Sequence, residues 1–242
     1  VITKNTQRSD KKLTTDKEGG QPVQVVYVSS EMHEAEAVVS RIKMAVEMRL
    51  RGYEDCVVLY RTNAQSRAVE EAMLRYTVPY KMVGGTRFYD RAEVKDVISY
   101  LRLLYQPSDR ASFLRIVNVP ARGLGDVSVE KFLAWAETTD LSIVGALSAV
   151  AACDGLTPRA RKSFEELGEA LAALAQEVTD MPLAKLIQLV IKRFHYLDYL
   201  DDGTPRAEDR QENVKELVND AEERPDIDLQ TYLEEVALVS SA

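Results

Sequence analysis

The chain has 242 residues, 45% hydrophobic and 29% charged, proportions near the soluble globular average that exclude wholesale disorder and fibrous structure. Its longest uncharged apolar stretch, Leu141 to Cys153, has 13 residues, too short for a membrane span of about 20; two cysteines and two histidines in separate segments exclude a disulfide framework or a metal cluster. The net charge of −8 is unevenly spread: residues 201–235 hold 13 acids against four bases, a net of −9, whereas residues 61–131 hold 12 bases against eight acids and suit a phosphate-bearing partner.

Residues 1–22 are polar, contain Gly19-Gly20 and lack an apolar period, so a lead-in segment is expected there. With no signal-peptide apolar region the expected location is cytoplasmic. Val23 to Ser29 predicts a strand. Glu31 to Arg51 carries apolar residues at helical spacing and is closed by Gly52. Cys56 to Tyr60 is a short apolar run typical of a strand buried on both faces, a helix is expected over Ala64–Arg75, and Pro79–Val83 supplies a third strand. The order β-α-β-α-β allows parallel strands. Beyond Gly84-Gly85 helical patterns succeed one another over Arg91–Tyr105, Asp109–Asn118, Ser128–Glu137, Leu141–Cys153, Pro158–Val178, Pro182–Phe194, Pro205–Glu223 and Leu229–Val239. Thr157 ahead of Pro158, and Asp180 ahead of the next helix, mark helix starts. The expected fold class is α/β, a partial parallel sheet segment over 23–105 followed by an all-α helical subdomain over 106–242.

Three constellations carry chemistry. Tyr60-Arg61-Thr62-Asn63-Ala64-Gln65-Ser66-Arg67 stands where an apolar run meets a helix start, a place where ligands bind α/β proteins. Tyr60 suits stacking on a base and Arg61 a charge-assisted phosphate contact; the pair also fits a surface arginine beside a half-buried tyrosine. Gly84-Gly85-Thr86-Arg87-Phe88-Tyr89-Asp90-Arg91 gives a tight exit, an aromatic anchor and a charged helix start. No Gly-x4-Gly-Lys-Ser/Thr phosphate loop occurs, and no Asp-Glu pair follows an apolar strand to hold magnesium. Asn118-Val119-Pro120-Ala121-Arg122-Gly123-Leu124-Gly125-Asp126-Val127-Ser128 presents backbone N–H groups at a helix start to a phosphate, or forms a tight turn only. Asp154-Gly155-Leu156-Thr157-Pro158 echoes it, with Arg159 and Arg161 in the following first turn.

The ordered set from Tyr60 to Arg67, from Gly84 to Asp96 and from Arg122 to Asp126, continuing through Glu212-Asn213-Val214-Lys215-Glu216-Leu217, resembles the bacterial UvrD/PcrA/Rep family of superfamily 1 DNA helicases. The resemblance covers the chain from about Val23 onward. It implies part of an ATP-driven 3′→5′ motor with two RecA-like lobes, this chain resembling the first part of the second lobe (2A) running into its helical insertion (2B). It implies that Tyr60 stacks on adenine, that Arg61 contacts the γ-phosphate as an arginine finger, and that Gln65 and Arg67 help hold that loop. It implies that Gly123 and Gly125, with Arg122 and Ser128, meet the DNA backbone, while Arg87–Asp96 shapes the lobe. ATP and Mg2+ are the implied cofactors, with the magnesium ligands outside this chain. The implied partners are single-stranded DNA and single-strand/duplex junctions, with repair or replication proteins possible. A fragment without the phosphate loop and magnesium motif is expected to be inactive alone. A non-catalytic DNA-docking or regulatory module is the alternative. The acidic stretch Asp201–Glu235 is expected to face solvent or a protein partner, His195 to be a packed interior side chain, and Trp135 to lie in the core.

Overall fold

A computed structural model describes residues 19–20, 22–177, 181–204 and 206–241. Most of the lead-in, Val178, Asp180 and Pro205 lie outside the described residues. The described residues form eleven α-helices: α1 Glu31–Glu47, α2 Ser66–Arg75, α3 Ala92–Tyr105, α4 Arg110–Ile116, α5 Asp126–Ala136, α6 Ile143–Ser148, α7 Pro158–Glu177, α8 Leu183–Arg193, α9 Tyr196–Leu200, α10 Ala207–Glu222 and α11 Leu229–Ser241. Single 3-10 turns occur at Tyr53–Asp55, Asn63–Gln65, Phe88–Asp90 and Val150–Ala152.

Among the described residues there is no strand, so the α/β expectation with its partial parallel sheet is overturned and this part of the chain is all-helical. Runs 23–29, 56–60 and 79–83 carry no ladder hydrogen bonds between them. Many of their apolar side chains face outward, Val25 being 74% exposed, Val57 78%, Leu59 90% and Val83 88%, while Val58 and Tyr80 pack against the cluster between α1 and α2. An apolar run records a preference for burial, but a strand also needs a neighbouring backbone to pair with, and none of these runs has a ladder partner among the described residues.

The helical patterns translate more directly, with boundary shifts that have local causes. Helix α1 starts at Ser30, whose Oγ accepts from His33 N. It ends before Gly52, because the left-handed residue there is Arg49, φ 56°. The pattern over Leu141–Cys153 is divided: α6 is capped by Ser142 Oγ accepting from Gly145 N, and the chain then turns through Val150–Ala152. Asp109 does not begin α4 but caps it, its Oδ1 accepting from Ala111 N at 3.0 Å and Ser112 N at 3.1 Å. Burial works to raise the Asp109 pKa, yet the hydrogen bonds from Ser112 and Ala111 outweigh it and hold the carboxyl below its ordinary 3.8. Asp109→Ala is therefore expected to cost about 1 kcal/mol at neutral pH. A carboxyl with a lowered folded pKa stabilises above its unfolded value and loses that contribution as pH falls, so the gap between the two proteins in chemical denaturation should narrow below about pH 4.

Two apolar clusters organise these helices. Ala35, Val39, Ala72, Met73 and Val78 join α1 to α2. From Phe88 onward most buried apolar side chains belong to a larger cluster drawing on α3 to α11. Phe132 lies inside the larger one, stacked on Phe164 at 4.6 Å and tilted against Phe113 at 5.5 Å. Trp135 is half-buried against Phe132 at 6.1 Å. Helices α6 and α7 approach closely at Gly168, where a Cβ would stand 2.8 Å from Leu147 Cβ. Phe194 and Tyr196 are buried, but His195 between them is not the interior side chain expected. It occupies the left-handed turn between α8 and α9 at φ 49°, which directs its ring outward, 81% exposed and 3.4 Å from Asp198.

Candidate functional site

The segment from Tyr60 to Arg67 leaves an extended run, passes through the 3-10 turn Asn63–Gln65 and enters α2. Gln65 turns its side chain back, and its Oε1 accepts from Arg61 N at 2.9 Å and Thr62 N at 3.1 Å. That carbonyl oxygen is occupied with bracing the loop. Arg61 itself is exposed, with no side-chain partner among the described residues, and Tyr60 beside it is 37% exposed. An exposed aromatic next to an uncommitted guanidinium on a braced backbone can receive a base and a phosphate.

Arg67, six residues on, is 2% exposed. Its Nε donates to Glu216 at 2.6 Å and its Nη1 to Asp220 at 3.0 Å, with Glu71 and Glu223 at 3.2 and 3.4 Å. Burial works against the Arg67 charge, but Asp220, Glu71 and Glu216 outweigh it and hold its pKa above the usual arginine value. Burial in turn raises the Glu216 and Glu71 carboxyls, with Arg67 pulling both back down. The expectation that the acids of 201–235 face solvent or a partner is therefore corrected for Glu216 and Asp220, 5% and 1% exposed, which counter a buried arginine.

The stretch from Arg87 to Asp96 supplies the other walls. Phe88 N donates to the Glu70 carboxylate, and the Tyr89 hydroxyl donates to Glu71 at 2.9 Å and to Asp220 at 3.2 Å. Arg91 donates through Nη1 to the Asn63 carbonyl at 2.9 Å and Asn213 Oδ1 at 2.6 Å, and through Nη2 to Ser66 Oγ at 2.7 Å. Sequence reasoning placed Arg91, Asn213 and Glu216 in stretches that carry the resemblance but did not join them, or Asp220, to the Tyr60–Arg67 segment. For Asn213, Glu216 and Asp220 the spacing along α10 has the same appearance as a solvated face, and Arg91 stands in the charged start of α3.

The second group surrounds the loop between α4 and α5. Asn118 Oδ1 accepts from Leu124 N at 3.0 Å, and its Nδ2 donates to the Leu124 carbonyl. Arg122 turns inward: Nη1 donates to the carbonyls of Ile116 at 2.7 Å, Val117 and Pro120, Nη2 donates to the Tyr100 hydroxyl at 2.6 Å, and the guanidinium lies 5.5 Å from the Phe194 ring centroid. Both side chains are thus spent on holding the loop. The peptide between Val119 and Pro120 is cis. Gly123, at φ 69°, and Gly125 are exposed, and Ser128 is half-buried.

The Arg159 guanidinium passes over Gly123, 3.1 Å from where a Cβ would stand, and Arg159 is exposed. Arg161 is half-buried and donates to the Cys153 carbonyl at 3.3 Å. The fold therefore brings Gly123 and Arg159 together and commits Asn118, Arg122 and Arg161 to internal contacts. No hydrogen bond or ion pair among the described residues joins this group to the Tyr60–Arg67 segment. Among the described residues no three His, Cys, Asp or Glu side chains are arranged to hold a metal ion, and no helix is long and apolar enough to cross a membrane.

The family model of the UvrD-like helicase C-terminal domain matches residues 1–240. The ATP-dependent DNA helicase PcrA of Staphylococcus epidermidis is 36% identical over 241 residues, which are 99% of this chain and 32% of that protein. DNA helicase II of Escherichia coli K12 is 36% identical over 98% of this chain and 34% of its own length. PcrA of Leuconostoc citreum is 34% identical over 93% and 30% respectively. The chain spans about a third of the length of these curated relatives.

Proposed function

The chain belongs to the UvrD-like helicase C-terminal domain family, and from that premise we propose that it is part of an ATP-dependent 3′→5′ DNA helicase acting in DNA repair or replication. In this reading residues 23–105 belong to the second motor lobe and residues 106–242 to its helical insertion. Tyr60 stacks on adenine, and Arg61 meets the γ-phosphate across the cleft between lobes, where its planar fork stabilises charge developing during transfer. Gln65 sets the Arg61 backbone. Mg2+ would neutralise phosphate charge, held by residues beyond this chain. The observation that carries the reading is Arg61: an exposed arginine with no partner among the described residues, on a backbone braced by Gln65. Proposed closure of the lobes around ATP moves one of them along single-stranded DNA.

The proposed DNA contact of the insertion lies at the loop before α5. Gly123 and Gly125 let a phosphate approach the backbone N–H groups, Ser128 stands in the first turn of α5, and Arg159 supplies the charge, with Arg161 behind it. Asn118 and Arg122 keep the loop in shape. Binding should be salt-dependent and indifferent to sequence. In fluorescence anisotropy on a single-strand/duplex junction, Gly123→Val combined with Gly125→Val is expected to weaken binding at least 10-fold, and Arg159→Ala to flatten the salt slope by about one unit. Unchanged binding in both variants would remove the loop from the interface.

The motor reading is tested by ATP turnover of the complete polypeptide with and without single-stranded DNA. Turnover stimulated by DNA is the expected result; none under either condition would leave the DNA-docking module.

A further inference from the structure

One face of α10 carries a polar stripe. Asp209, Asn213, Glu216 and Asp220 are separated by four, three and four positions, which places them on one helix face, a line about 16 Å long at 1.5 Å per residue. Each meets the segment that follows Arg61 or the side chain that pins it. Asp209 accepts from Asn63 Nδ2 at 3.4 Å, Asn213 accepts from Arg91, and Glu216 and Asp220 accept from Arg67. Arg91, between the two elements, holds the Asn63 carbonyl and the Ser66 hydroxyl while bonded to Asn213. Asn213 is fixed from its other end, its Nδ2 donating to Glu93 Oε1 at 2.6 Å.

Arg61 has no side-chain partner among the described residues, so its direction comes from its backbone. That backbone is set by Gln65, and Gln65 belongs to the turn whose Asn63 carbonyl and following Ser66 are held by Arg91. We propose that Arg91 and Asn213 are positioning residues for Arg61, so that α10, about 150 positions away in sequence, forms the backing that keeps the arginine aimed at the phosphate. The inference rests on the motor reading above. Geometric misplacement of about 1 Å at a reacting group costs on the order of 100-fold in rate, so loss of one hydrogen bond in this chain of contacts lowers kcat more than it lowers binding.

The test uses ATP turnover of the complete polypeptide with saturating single-stranded DNA. Asn213→Ala should lower kcat about 10-fold or more, with the KM for ATP and the Kd for DNA within about 3-fold of wild type. Asn213→Asp combined with Glu93→Gln restores both bonds, the new carboxylate accepting from Arg91 and the new amide donating back, and should return kcat to within about 3-fold of wild type. Leu171→Ala, a core change in α7, serves as a control of comparable thermal destabilisation and should leave kcat near wild type. Wild-type kcat in Asn213→Ala, an equal loss in Leu171→Ala, or failure of the double variant to restore turnover each overturns the positioning role. Wild-type turnover in Arg61→Ala overturns instead the arginine assignment on which it rests, and absence of turnover in the wild-type polypeptide overturns the motor reading.

Discussion

Replacing Arg61 by alanine in the complete polypeptide is expected to lower ATP turnover about 10³-fold or more, the contribution of an arginine that stabilises a transferring phosphoryl group. Three decades correspond to about 4 kcal/mol of transition-state stabilisation. Stability should not change, because Arg61 is exposed and forms no ion pair among the described residues. Affinity for single-stranded DNA should stay within about 3-fold, since the proposed phosphate contacts of DNA lie elsewhere. Arg61→Lys should recover only a small part of the rate: a lysine carries the charge but not the planar fork that spans two oxygens. Steady-state ATP hydrolysis with DNA present checks all of this. Wild-type turnover in Arg61→Ala would sink the arginine assignment.

The proposed assignment comes from a resemblance, and the residues that carry it are contiguous: a tyrosine, an arginine and a glutamine within six positions. Helices were legible for a similar reason, since a 3.6-residue period is a local property. What was illegible required knowledge of partners distant in sequence. Arg67 lies 149 positions from Glu216 and 153 from Asp220, and on α10 those acids share the polar pattern of Glu212 and Lys215, which do not contact it. Periodicity identifies faces without saying which polar face is buried. The runs 23–29, 56–60 and 79–83 failed in the opposite way. Their composition suits strands, but a strand is defined by a second backbone, and composition carries no information about it. Arg122 shows the same limit at the loop before α5: its place beside Gly123 suggests a phosphate contact, whereas the carbonyls at the end of α4 and the Tyr100 hydroxyl capture it first.

Arg67→Ala should be the most destabilising single change in the first apolar cluster's neighbourhood, costing about 3–5 kcal/mol, the range for removing one partner of a buried ion pair. The loss comes less from the attraction surrendered than from Glu216 and Asp220, which remain buried with Arg67 gone; Arg224 still pairs with Asp220, but Glu216 has no second cation among the described residues. At about 2–4 °C per kcal/mol for a chain of this size, the melting midpoint should fall by roughly 10 °C. The pH dependence has a definite sign. Burial already raises the Glu216 and Glu71 carboxyls above their ordinary value of 4.5, against the pull of Arg67, and removing that pull raises them further. A carboxyl with a raised folded pKa binds its proton more tightly in the native state, so its stabilising contribution is present at low pH and is lost as pH rises through the folded value. The penalty of Arg67→Ala should therefore shrink as pH is lowered from 7 toward 5, the same direction as for Asp109→Ala but at higher pH, because these carboxyls are raised whereas that of Asp109 is lowered. Arg67→Lys should lie between the two proteins, because one ammonium cannot serve Glu216 and Asp220 with the separate Nε and Nη1 donors that arginine offers. Thermal unfolding of the three proteins at pH 5 and pH 7 checks both claims. A loss below about 1 kcal/mol at pH 7 would mean that water reaches these carboxylates as soon as the arginine leaves.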